Sequence, residues 1–124
     1  MGAKVVHLMV VDDEPMIREL CADMLVGEGY NVITASNGRE AVDLAISRRI
    51  DLVLMDLMMP VLDGLTACKM MHEDSRTRNL PVVIMSAAGN VRERMREVQC
   101  LAAAILPKPF DFDELLQTVR HLTA

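Results

Sequence analysis

Five polar side chains each close an apolar run: Asp12 and Asp13 after residues 5–11, Asp56 after 52–55, Ser86 after 82–85, and Lys108 just past 102–106. Carboxylates, a hydroxyl and an ammonium form a set suited to handling an anion with the help of a divalent cation. Three acids a few ångströms apart repel by several kcal/mol at an intermediate dielectric, so such a cluster calls for a cation. Hard oxygen donors with room for water suit Mg²⁺, and an amine beside the same acids meets an anion. Taken singly, each residue has an ordinary explanation. Asp at a strand end is a common turn residue, an Asp pair before a helix is a capping and dipole feature, and Lys between two prolines is solvated. Their chemistry depends on whether the fold brings the four ends to one edge.

The stretch 51–55 does not alternate polar with apolar, which marks a strand buried on both faces, with Asp56 at its carboxyl end. Residues 5–11 read as a first strand, and Asp12-Asp13-Glu14-Pro15 as the approach to a helix with Pro in its first turn. Ile17, Leu20, Cys21, Met24 and Leu25 make one apolar stripe, punctuated by Gly27 and Gly29. Residues 30–35 are a weaker second strand with Ser36-Asn37-Gly38 as its turn, followed by a helix through Ala41, Val42, Leu44, Ala45 and Ile46. After Asp56 comes a loop, 60–64, and a helix with Leu65, Cys68, Met71 and His72 on one side. The fourth run, 82–85, precedes a highly charged helix whose apolar seam is Val91, Met95 and Val98. The fifth, 102–106, leads through Pro107-Lys108-Pro109-Phe110 to a helix carrying Phe112, Leu115, Leu116, Val119 and Leu122.

Five strands alternating with five helices wind by right-handed crossovers into an α/β domain with helices on both faces. The expected architecture is a flavodoxin-like (βα)5 three-layer sandwich around a parallel sheet of order 2-1-3-4-5, its switch point between strands 1 and 3. That topology places every polar strand end on one edge, where open α/β sheets bind ligands.

Composition narrows the class. With 124 residues, 52% of them hydrophobic, residues 1–124 are expected to be a single domain with no output domain attached. Aromatics are confined to Tyr30, Phe110 and Phe112, so methionine and aliphatic side chains must fill the core. A net charge of −5, without a basic stripe, argues against direct binding to nucleic acid or an anionic membrane. Cys21, Cys68 and Cys100 read as small buried thiols in a reducing compartment, and the three histidines show no metal-ligand spacing. Residues 1–4 are too short for a signal peptide and no apolar run spans a membrane, so a cytoplasmic protein is expected.

Over essentially its full length the chain resembles the receiver domain of two-component response regulators. The resemblance rests on Asp12-Asp13-Glu14-Pro15, Asp56 with Met59-Pro60 and Asp63-Gly64, Ser86-Ala87, and Lys108-Pro109-Phe110, in this order and spacing. It implies that Asp56 takes a phosphoryl group from a sensor histidine kinase or histidine phosphotransfer protein in a Mg²⁺-dependent reaction that the domain itself catalyses, with slow dephosphorylation. Asp13, Asp56 and the backbone carbonyl of Met58 would hold Mg²⁺, Asp12 would act through a bound water, and Ser86 and Lys108 would contact phosphoryl oxygens. It further implies a cis Lys108–Pro109 peptide and a downstream effector, whose identity is unknown, reading the face formed by the fourth helix, fifth strand and fifth helix.

This sequence departs from the family pattern at two places. The position three before the lysine, commonly aromatic and part of the switch with Ser86, is Ile105, which has no ring to swing, so weaker coupling to that face is expected. Met58 and Ala88, two past Asp56 and Ser86, guide water poorly, so a long-lived phosphoryl group is expected. Met16, near the start of the first helix, is a candidate docking position for the donor's helix. One rival is a small Mg²⁺-dependent phosphatase with an aspartyl nucleophile, which would want an acid where Met58 stands. Another is a nucleotide-binding module, which would want a phosphate-wrapping loop where Asp12-Asp13-Glu14-Pro15 repels phosphate.

Overall fold

Continuous apolar runs supply the strands of a sheet covered on both sides. The structure, a computed structural model, describes residues 4–124. Residues 1–3, most of the stretch judged too short for a signal peptide, lie outside the described residues. The strands are β1 (His7–Val11), β2 (Asn31–Ala35), β3 (Leu52–Asp56), β4 (Val82–Ser86) and β5 (Ala104–Pro107). The helices are α1 (Pro15–Gly27), α2 (Gly38–Ser47), α3 (Gly64–Glu73), α4 (Val91–Val98) and α5 (Phe112–Thr123). All pairings are parallel and the order is β2-β1-β3-β4-β5, the expected topology.

Alternate strand residues feed two cores. Met9, Val11, Val53, Met55, Val82 and Ile84 pack with α2, α3 and α4 on one face. Leu8, Val10, Leu52, Leu54, Val83 and Met85 pack with α1 and α5 on the other. Burying β3 and β4 on both faces explains their lack of alternation. Among the described residues no helix is long and apolar enough to cross a membrane.

Several boundaries differ from the sequence reading for local reasons. Val5 is exposed and β1 starts at His7, where pairing with Asn31 begins and the His7 N–H donates to the Asp51 carboxylate at 2.8 Å. Tyr30 belongs to the end of α1, its N–H donating to the Leu25 carbonyl past Gly29, whose φ of 96° suits glycine. Residues 102 and 103 precede β5, which starts at Ala104, after the Cys100 N–H closes α4 onto the Met95 carbonyl and the Ala103 N–H donates to the Val82 carbonyl. Leu20 is not part of the buried stripe of α1: it is 58% exposed on the stripe's shoulder, while Cys21 and Leu25 enter the core. Ser36-Asn37-Gly38 is not a free turn but a helix start, with Asn37 capping α2 by accepting from the Glu40 N–H at 2.9 Å.

Candidate functional site

The buried polar residues are few and mostly gathered in one place. Among the described residues they are Asp12, Asp56, Thr77 and Ser86. Thr77 caps α3 by donating to the Met71 carbonyl at 2.6 Å; the other three lie at the carboxyl edge of the sheet. Such residues need partners where water is excluded, and the partners found define the site.

Asp12 follows β1 and is 1% exposed. Its Oδ1 accepts the Glu14 N–H at 3.0 Å, its Oδ2 accepts from Lys108 Nζ at 3.4 Å, and its carbonyl accepts from Arg18 Nη1 at 2.8 Å. Asp12 therefore holds the loop ahead of α1 rather than capping the helix, whose N-cap is Glu14 without a side-chain bond. Asp13 is exposed beside it. Asp56, the last residue of β3, is 7% exposed and accepts from Lys108 Nζ at 3.2 Å. One carboxylate oxygen from each of Asp12, Asp13 and Asp56 lies within 4.8 Å of the others. Neighbouring ligands of a six-coordinate ion at ~2.1 Å stand about 3.0 Å apart and opposite ones about 4.2 Å, so these hard oxygens suit Mg²⁺ once they close on it or leave one place to a bound water.

Lys108 reaches the acids because β5 delivers it beside β4: its N–H donates to the Ser86 carbonyl at 2.9 Å. The Lys108–Pro109 peptide is cis, as expected. Ser86 ends β4, is buried, and its Oγ accepts the Ala88 N–H at 2.9 Å. Ile105 pairs with Ile84 across the β4–β5 ladder. It lines a cleft of about 690 Å³ that runs from Ser86 and Lys108 to Arg92 and Arg96 of α4. Met58 points outward, 63% exposed, and its sulfur accepts from Arg94 Nη1 at 3.5 Å. Asp12, Asp13, Asp56, Ser86 and Lys108 therefore gather at this rim, and Ile105 lies on the cleft opening from it, whereas the Met58 side chain turns away.

The charges do not balance. Burial pushes the Asp56 carboxyl above its ordinary value; Lys108 opposes this, while Asp12 and Asp13 add to it. Burial works to lower the Lys108 ammonium, but the Asp56 and Asp12 carboxylates outweigh it and hold the group above its usual range. Burial also pushes up the nearby Cys21 thiol, with Asp12 assisting. Such a rim accepts a cation at the acids and an anion at the amine.

Two supporting residues had a different reading from sequence. Gly64, which the sequence places in the loop 60–64, is the first residue of α3, packed on the end of β3. A Cβ there would strike the Asp56 carbonyl and the Leu57 Cα, and the Gly64 N–H donates to the Leu57 carbonyl at 2.9 Å. Gly38 likewise leaves space for the Leu62 carbonyl. The sequence signal for both was the glycine itself; the neighbour of Gly64 is eight residues earlier in the chain and that of Gly38 twenty-four residues later. The Arg94–Met58 contact carried no signal among the many charges of α4.

A family model described as the response regulator receiver domain matches residues 8–120. The response regulator MprA of Mycolicibacterium vanbaalenii is 42% identical over 117 residues, covering 94% of this chain and 50% of the relative. The DNA-binding dual master transcriptional regulator RpaA of Synechocystis is 36% identical over 116 residues, covering 94% and 48% respectively. The chain thus spans about half the length of these curated relatives. Among solved structures, the response regulator TrrA of Thermotoga maritima, in complex with Mg²⁺-BeF, superposes with a TM-score of 0.84 at 34% identity, covering 95% of this chain and 99% of that one. None of these matches favours the phosphatase reading.

Proposed function

The chain belongs to the response regulator receiver domain family, and from that premise we propose that Asp56 is the phosphoacceptor of a two-component switch. The observation that carries this reading is the convergence of Asp12, Asp13, Asp56 and Lys108 at one rim. In the proposed reaction an Asp56 carboxylate oxygen attacks the phosphorus of a phosphohistidine. The new O–P bond forms as the P–N bond breaks, and the electron pair leaves on the imidazole nitrogen. Lys108, already paired with Asp56 and Asp12, turns to the phosphoryl oxygens, and the Ser86 hydroxyl donates to another. Asp13, Asp56 and the Met58 carbonyl would hold Mg²⁺, and Asp12 would act through water. When bound, the cation supplies charge neutralisation for the acids and the equatorial oxygens.

The donor we propose is a sensor histidine kinase or a histidine phosphotransfer protein. Exposed Met16 and Leu20, with the apolar cleft formed by Ile17, Cys21 and Phe110 next to Lys108, offer a helix of that donor a surface close to Asp56. The net charge of −5 favours a protein effector over nucleic acid as the direct contact of this domain. Incubation with acetyl phosphate and Mg²⁺, followed by intact-mass measurement, tests the proposal. One added phosphoryl mass, lost in Asp56→Asn and in EDTA, is expected; an unmodified parent chain overturns it.

A further inference from the structure

Arg18 has no part in the chemistry proposed for the rim, but its side chain is tied directly to it. From the first turn of α1 it reaches back six residues, Nη1 donating to the Asp12 carbonyl at 2.8 Å. The Arg18 backbone meanwhile belongs to the helix, its N–H donating to the Glu14 carbonyl at 3.0 Å. Asp12, Asp13 and Glu14 all stand near in the chain, yet among the described residues this half-buried guanidinium makes no ion pair with a carboxylate. It holds backbone instead.

The carbonyl it holds belongs to the peptide unit joining Asp12 to Asp13. That unit is planar, so its oxygen, the Asp13 N–H and the Asp13 Cα turn together. Among the described residues the bond from Arg18 is the one hydrogen bond this unit makes. Asp12 has other anchors: its N–H donates to the Ala35 carbonyl at 3.2 Å, Oδ1 accepts from the Glu14 N–H, and Oδ2 accepts from Lys108. The exposed Asp13 side chain has none among the described residues, and the N-cap Glu14 adds no side-chain bond to steady the turn. We propose that Arg18 is a positioning residue for the divalent cation: by fixing the Asp12–Asp13 peptide it aims the Asp13 carboxylate at the site shared with Asp12 and Asp56. The assignment rests on the Mg²⁺ site of the proposed function and adds a residue that touches neither the cation nor the phosphoryl group.

Charge and geometry act in opposite senses here. A guanidinium one peptide away from the acids repels a cation, so as a charge alone its loss tightens Mg²⁺ binding. As a tether, its loss lets the Asp12–Asp13 peptide rotate, and Asp13 then spends part of its time turned away from the site. Removing a group that orients a metal ligand costs about tenfold to a hundredfold in affinity. Asp13 is exposed and the opposing charge effect works against the loss, so the low end of that range, about tenfold, is expected. The donor is charged, which makes this bond stronger than one between neutral peptide groups. Lys108 differs in kind, since it meets the carboxylates of Asp12 and Asp56 themselves.

Three variants separate the two effects. Arg18→Met removes charge and donor but keeps an unbranched stem; Arg18→Lys keeps the charge on a shorter arm. Arg120→Met removes the same charge at the far end of α1, where Arg120 pairs with Glu28 at 3.4 Å. Titrating the ¹⁵N-labelled proteins with MgCl₂ and following backbone amide shifts gives each dissociation constant. Arg18→Met should bind about tenfold more weakly than the parent, Arg18→Lys in between, and Arg120→Met as the parent does. In EDTA, the Asp13 N–H order parameter should fall in Arg18→Met from a rigid value of about 0.85 towards 0.6 or below. With acetyl phosphate as donor, the phosphorylation rate of Arg18→Met should return to that of the parent at saturating Mg²⁺, because only loading of the site is impaired. Equal or tighter Mg²⁺ binding by Arg18→Met overturns the proposal, as does an unchanged order parameter at Asp13 or an equal weakening in Arg120→Met. Phosphorylation that stays slow at saturating Mg²⁺ also overturns it, since the guanidinium then acts on the phosphoryl group. If the parent binds Mg²⁺ and gains its phosphoryl mass while Arg18→Met binds just as well, this inference falls alone; if the parent binds no Mg²⁺, the metal site falls and takes it along.

Discussion

Replacing Asp56 with asparagine should stabilise the metal-free protein and remove most of its response to Mg²⁺. The size of the effect follows from the rim's charges. At an effective dielectric of ~20, two carboxylates at the 4.8 Å limit that bounds these three repel by about 3.5 kcal/mol, and Lys108 at 3.2 Å from Asp56 attracts by about 5 kcal/mol. Repulsion from Asp12 and Asp13 together exceeds that attraction by about 2 kcal/mol, and solvent screening of exposed Asp13 brings the difference to roughly 1 kcal/mol. Asp56→Asn keeps the shape and removes the charge, so its melting temperature in EDTA should rise by about 3–4 °C for a domain of this size. At ten times its dissociation constant, Mg²⁺ stabilises the parent by about 1.4 kcal/mol, and the variant, short of one ligand and one charge, by clearly less. The order of stability of the two proteins should therefore close up or reverse between EDTA and Mg²⁺.

The pH dependence carries a definite sign. The folded Asp56 binds its proton up to a higher pH than the unfolded chain does. In metal-free buffer its contribution to stability is thus present below the ordinary aspartate value of about 4 and lost as pH rises through the raised folded value. Asp56→Asn should flatten that slope. Thermal melts of both proteins across the acid range, with EDTA and with Mg²⁺, read all of this. The reasoning fails if asparagine destabilises the metal-free protein, or if both proteins gain equally from Mg²⁺.

Ile105→Tyr supplies a ring for the cleft between β5 and α4, and the ratio of effector affinities with and without phosphorylation should rise by about fivefold or more, within the usual range of coupling energies; an unchanged ratio refutes the assignment. The phosphoryl group on the parent should last minutes or longer, because neither Met58 nor Ala88 can hold an attacking water; a lifetime of seconds in Mg²⁺ buffer, measured by intact mass, counts against that. Gly64→Ala forces a methyl into the backbone at Asp56 and Leu57, so denaturant melts should show a loss of about 3 kcal/mol, the upper part of the overpacking range, together with slower phosphorylation.

What could be read from the sequence, and what could not, divides along physical lines. β3 and β4 were plain because strands covered on both faces must be apolar throughout, and the polar residue that ends each run then marks the ligand edge. The start of β5 was less plain, since Ala102 and Ala103 are apolar without favouring the extended state, and Ala103 already donates to the Val82 carbonyl of β4 ahead of the strand. Asn37 and Gly38 were misread because turns and helix N-caps draw on the same residue types. Leu20 was assigned to the core because periodicity identifies a face but not how far the neighbouring layer extends across it. Local spacing could not show the contact of Gly64 with β3 either, because it depends on how the α3 start is seated.

The imbalance at the rim explains why so rigid a sheet can serve a reversible signal. Three carboxylates against one ammonium leave two excess negative charges, held together by strands with no freedom to spread them. One divalent cation cancels that excess, and only then can a phosphoryl dianion approach Asp56 without meeting a field that repels it. The cation must therefore bind before the donor. Once phosphate is attached, the rim is again short of positive charge, and the donors within reach are the Lys108 ammonium and the Ser86 hydroxyl. Both are joined by their backbones to β4 and β5, so under the proposed function a response to charge added at Asp56 is expected on the side of the sheet away from β2. A packed core that cannot yield in the middle directs the response to that edge.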